Sequence, residues 1–85
     1  MNVTAPEWLT RRGGDLRLCP DGHSWAVLVN GQPQYLLVPI PVAGKHGCIV
    51  EQTVNGKRLE SKNTYASEEE ALRGGLEDLR KALGW

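Results

Sequence analysis

The chain has 85 residues, with ten basic and ten acidic side chains and two cysteines, enough for one domain with a modest core and too few for a second. Balanced charge removes the electrostatic argument for nucleic acid or anionic membrane that a basic protein carries. No apolar run suits a bilayer span or a signal sequence, and two cysteines are too few for a secreted disulfide scaffold. The expectation is a single cytoplasmic domain over 1–85, without a membrane partner.

Residues 1–13 read as an N-terminal arm or one helical turn. Thr4-Ala5-Pro6-Glu7 has the form of a capping box with proline in the first turn, Trp8 and Leu9 supply apolar contacts, and Gly13-Gly14 ends the segment. Antiparallel sheet is expected over 15–65. Asp15 to Cys19 alternates around Leu16 and Leu18, and Pro20-Asp21-Gly22 turns the chain into Ser24-Trp25-Ala26-Val27-Leu28-Val29, which is apolar on both faces and therefore central. Asn30-Gly31 predicts a type I′ hairpin. A two-residue turn pairs Val29 with Gln32, Leu28 with Pro33, Val27 with Gln34 and Trp25 with Leu36. It also sets the missing N–H groups of Pro33, Pro39 and Pro41 on one side of their strand, as at a sheet edge.

A second hairpin, from Cys48 to Tyr65, is expected around Asn55-Gly56. Its two-residue register places Val54/Lys57, Gln52/Leu59, Val50/Ser61 and Cys48/Asn63 on the more buried face, and Thr53/Arg58, Glu51/Glu60 and Ile49/Lys62 on the other. A helix follows over 67–83. Ser67 and Glu70 form a capping box, three glutamates complement the positive end of the dipole, and Leu72, Leu76, Leu79 and Leu83 make one stripe. Gly84 and Trp85 read as a Schellman ending with Trp85 folded back. Gly75 lies beside the stripe and permits close approach to the sheet, whereas Gly74 points outward without a reason in the sequence. The fold class is thus α+β: an antiparallel β-meander of about five strands with one C-terminal helix packed on one face.

Asn55-Gly56-Lys57-Arg58 at the turn, Thr64-Tyr65 closing the last strand and Ser67 to Ala71 opening the helix resemble AP2-like and phage-integrase arm-type DNA-binding domains. The resemblance covers residues 47–85 and implies nucleic-acid binding through the exposed sheet face, with Thr53, Lys57, Arg58 and Lys62 as contacts. Arg11, Arg12 and Arg17 are the further candidate cations. Glu51 and Glu60 share that face.

Two alternatives arise from the residues themselves. Tyr35 and Leu37 lie opposite Leu36, Val38 and Ile40, so one helix cannot cover both sides of the strand 35–42. Either Trp8-Leu9 covers the remaining face or a protein partner or second copy does, which makes Tyr35 and Leu37 a candidate interaction surface. Cys19, His23, His46 and Cys48 form the third candidate, a zinc site, because the first and third strand-connecting loops of a meander lie at the same end. Their spacings are not those of familiar zinc modules, and no cofactor is assigned. Without a phosphate loop, a carboxylate cleft or an oriented thiol–imidazole pair, the chain reads as a non-catalytic binding module.

Overall fold

Ser67 opens the long helix α2 (Glu68–Leu83), its Oγ accepting a bond from the Glu70 N–H at 3.2 Å. The helix closes on Gly84, whose φ of 73° is left-handed. There the Trp85 N–H donates to the Arg80 carbonyl at 3.1 Å and the Gly84 N–H to the Lys81 carbonyl at 3.2 Å, the Schellman pairing expected from Gly84-Trp85. In the computed structural model, residues 4–59 and 63–85 are described. They form a five-stranded antiparallel meander in the order β1 (Gly14–Leu18), β2 (Trp25–Val29), β3 (Gln32–Val42), β4 (Lys45–Gln52) and β5 (Arg58–Leu59). A short helix α1 (Glu7–Thr10) precedes β1. The α+β meander with one packed C-terminal helix is therefore the observed architecture. No helix among the described residues is long and apolar enough to cross a membrane.

The N-terminal turn forms two residues later than the Thr4-Glu7 pattern suggests. Pro6, in an extended conformation, occupies the cap position and no side chain caps it. Its ring fixes φ at −68°, and the first turn instead closes through bonds from the Leu9 and Thr10 N–H groups to the Pro6 carbonyl. Leu9 is fully buried, and a Cβ on Gly14 would overlap its side chain. That glycine is required for the turn to lie directly on β1.

Both helices cover the same face. α2 packs on β3 and β4, and α1 packs on β1. Between them and the sheet lie Leu16, Trp25, Val27, Leu37, Val50, Leu72, Leu76 and Leu79, all buried. Gly75 allows this approach: a Cβ there would stand 2.6 Å from the Cys48 sulfur and 3.6 Å from Leu37 Cδ2. Gly74, unexplained by the sequence, also has its reason, because a Cβ at that position would overlap the ring of Tyr65.

The first hairpin turns through Asn30 and Gly31, with φ of 54° and 79° as a type I′ turn demands. Val29 pairs with Gln32 and Leu28 with Pro33, but the ladder then slips, pairing Val27 with Tyr35 and Trp25 with Leu37. Gln34 is the extra residue of a β-bulge. The expected Val27/Gln34 and Trp25/Leu36 pairs are thereby corrected, and every side chain of β3 beyond the bulge changes face. Past Leu37, β3 has β4 as its neighbour but no pairing with β2, so Pro39 and Pro41 do lie on a half-open edge.

The second turn is wider than the sequence implies. The Gln52 N–H donates to the Lys57 carbonyl at 2.8 Å and the Lys57 N–H to Asn55 Oδ1 at 2.9 Å, leaving Gly56 with the positive φ of 69°. Thr53 is drawn onto the end of β3, its N–H donating to the Gln34 carbonyl and its Oγ1 to the Pro33 carbonyl. Val50 consequently faces Leu59, and Glu51 faces Arg58, in place of Gln52/Leu59 and Thr53/Arg58. This shift is even, so it leaves the faces unchanged. The expected register reappears at the His46–Tyr65 bridge. Expectations for Glu60, Ser61 and Lys62 lie outside the described residues.

In the β1–β2 turn, the Asp21 carboxylate accepts from the Ser24 hydroxyl and from the His23 and Ser24 N–H groups. Those bonds, the hydroxyl foremost, hold its pKa down at about 2 against an ordinary 3.8. A depressed folded value means that the turn's stabilisation is complete above 3.8 and disappears as pH falls towards 2. The His23 and Ser24 amide resonances are expected to titrate with a midpoint near 2, and Asp21→Asn to abolish that step. A midpoint at the ordinary carboxylate value would contradict the bonded turn.

Candidate functional site

Strand alternation and the bulge together determine which side chains the helices leave open. Facing away from α1 and α2 are Ala26, Leu28, Leu36, Val38, Ile40 and Ile49, each half-buried by its neighbours in the sheet. Gly47 lies among them, and a Cβ there would stand 3.1 Å from Val42 Cγ2 and 3.6 Å from Ile40 Cγ1. Among the described residues no helix lies over this face. The register lines Arg17, Ala26, Leu36, Glu51 and Arg58 into one row across all five strands. Its centre is aliphatic and its two ends are charged. At one edge Arg17 Nε meets Asp15 Oδ2 at 3.2 Å, and at the other Arg58 Nε meets Glu51 Oε1 at 3.4 Å. Four strand spacings separate these arginines, about 19 Å.

Tyr35 and Leu37, taken from the sequence as the interaction surface, are on the other side. Leu37 is fully buried and Tyr35 packs at the margin of the same core, both beneath the helices. Trp8 and Leu9 are there too, so the arm covers the face that α2 already covers. The face left open belongs to Leu36, Val38 and Ile40. The apolar excess of β3 was evident in the sequence, but its direction was reversed by the bulge.

The candidate nucleic-acid contacts are dispersed. Thr53 bonds the backbone of β3, Lys57 stands at the second hairpin turn, Arg58 and Arg17 hold opposite edges of the open face, and Lys62 lies outside the described residues. Arg11 and Arg12 belong to the helix-covered side, where Arg11 meets Glu7 at 2.5 Å and Arg12 stacks on Trp85. Each arginine of the open face is thus matched by a carboxylate at the edge it occupies.

The candidate metal ligands are divided as well. Cys48 is buried against Gly75 beneath α2, and burial first of all pushes its thiol up to about 11. Cys19, half-buried at the end of β1, is also raised, by burial and then by the charge of Asp21. His23 and His46 do share a groove with Pro39, Pro41 and Glu68. Neither cysteine lines it. Among the described residues no three histidine, cysteine or acidic side chains come together as a metal site, because the strand that carries Cys48 turns its sulfur into the core.

No protein-family model, curated protein or solved structure matches this chain. The functional reading therefore rests on the two faces of the sheet.

Proposed function

We propose that this chain is a docking module that associates with a second copy of itself through the open sheet face. The observation that carries the reading is the row Arg17-Ala26-Leu36-Glu51-Arg58, apolar at its centre and bearing a cation and a carboxylate at each edge. A two-fold axis parallel to the strands and lying over β3, in the plane between the two open faces, lays the Asp15–Arg17 edge of one copy over the Glu51–Arg58 edge of the other. Leu36 then lies on Leu36 at an aliphatic centre and each edge sets one internally neutralised ion pair over the other, in the face-to-face packing that sheets with one apolar side adopt. A net charge of zero also leaves no long-range repulsion between copies. Pro39 and Pro41 disfavour strand addition along the half-open stretch of β3 beyond Leu37.

Five strands by about five residues is a small interface, and weak association, with a dissociation constant on the order of micromolar, is expected of it. Sedimentation velocity across that range is expected to show a mass rising from 9.4 kDa to twice that value. Val38→Glu, which puts a charge at the centre of the patch, is expected to hold the protein at monomer mass with its melting temperature little changed. A wild-type mass that stays at 9.4 kDa up to about 1 mM removes the proposal.

A further inference from the structure

The N-terminal turn and the C-terminal cap meet on the helix-covered side, away from the open face. Trp8 and Trp85 stand edge to face, with centroids 6.1 Å apart and planes at 64°. The Arg12 guanidinium lies 4.8 Å from the centre of the Trp85 ring. With Arg11 and Arg80 these residues line a cleft of about 440 Å³, within the size range of small-molecule sites. Three guanidinium groups and two indoles thus converge from opposite ends of the sequence.

Their existing partners leave this charge usable. Glu7 and Arg11 pair with side chains about three-quarters exposed, and Glu77 reaches Arg80 only at 3.5 Å. Such solvated pairs contribute little, so either arginine can exchange its carboxylate for a better-held anion at small cost. Arg12 has no carboxylate partner among the described residues. The Arg12 guanidinium lies over the Trp85 ring, and a guanidinium carries a fork of N–H donors that suits a phosphate. Arg80 lines the cleft with a half-exposed side chain, although its Nε is itself buried without a hydrogen-bond partner. The indoles offer flat surfaces on which a base can stack.

We infer that this cleft binds a nucleotide, its phosphate held by Arg12 with Arg11 and Arg80 and its base against Trp8 or Trp85. The ligand is either a free nucleotide or a residue of a single strand, which share this chemistry. Trp25 is buried in the core, so a change in tryptophan fluorescence reports mainly on Trp8 and Trp85. Titration of the full chain with a nucleoside monophosphate is expected to give a saturable change. Inorganic phosphate should bind more weakly, and the unphosphorylated nucleoside should produce no saturation. Tighter binding of an octathymidylate assigns the source to a strand, and equal or weaker binding assigns it to the free nucleotide.

Arg12→Gln and Arg80→Gln are each expected to weaken binding about tenfold, the loss of one charge-assisted contact, with unchanged melting temperature and unchanged self-association. Absence of a saturable change up to about 10 mM nucleotide would overturn the assignment. So would equal binding of the nucleoside, or binding undiminished in both arginine variants.

Discussion

Leu37→Glu is expected to unfold the domain, whereas Val38→Glu, one residue along the same strand, leaves it folded. Leu37 is fully buried beneath α2, while Val38 projects from the open face. Losing the leucine contacts alone costs about 2–5 kcal/mol, and a carboxylate set between Trp25 and Val50 under Gly75 meets no buried charge among the described residues and must be desolvated or protonated. Against a total stability on the order of 5–10 kcal/mol for a domain of this size, the combined loss leaves little native population at neutral pH. Thermal melts followed by circular dichroism separate the two variants. A cooperative transition in Leu37→Glu near the wild-type temperature would place the bulge, and so the two faces of β3, incorrectly.

Gly75→Ala is the second variant with a large expected effect, and its sign opposes helix propensity. Alanine in a helix interior is favoured over glycine by roughly 1 kcal/mol. The new Cβ would nevertheless stand 2.6 Å from the Cys48 sulfur and 3.1 Å from its Cβ, so either α2 must lift or β4 must yield. Overpacking of this kind costs about 1–3 kcal/mol, which outweighs the propensity gain. Cys48→Ala removes the sulfur and is expected to recover part of the loss, giving a coupling energy on the order of 1 kcal/mol in a double-mutant cycle. Chemical denaturation of the four proteins measures it. Stabilisation by Gly75→Ala alone would mean that α2 does not approach β4 as closely as described.

The parts of this fold legible in the sequence are those where one local signal suffices. Ser67, the leucines at 72, 76 and 79, and Gly84 define α2 because capping and a 3.6-residue period are properties of the helix itself. Asn30-Gly31 locates the first hairpin for the same reason. The direction of β3 was not legible, since Tyr35-Leu36-Leu37-Val38 is apolar at both parities and only the register distinguishes them. That register depends on Gln34, whose sequence gives no sign of a bulge. Nor does Asn55-Gly56 reveal that Asn55 bonds the Lys57 N–H and opens a wider turn.

Gly74 shows a similar limit, because its reason, Tyr65, comes from another element. The cleft of Trp8, Arg12, Arg80 and Trp85 joins residues near opposite ends of the chain, so neither segment announces it. One clue was available. A tryptophan following the capping glycine requires an apolar contact, and the other end of the sequence offers Trp8.

The open face, carrying Leu36, Val38 and Ile49, is expected to meet its own image in the dimer proposed above. Isotope-filtered nuclear Overhauser spectroscopy on a mixture of labelled and unlabelled chains tests this most directly, at concentrations where the dimer is populated. Intermolecular cross-peaks are expected among the methyl groups of Leu28, Leu36, Val38, Ile40 and Ile49, and none to Leu37 or Leu72. Intermolecular cross-peaks confined to other surfaces, or their absence under conditions where Val38→Glu gives the same mass as wild type, would contradict it.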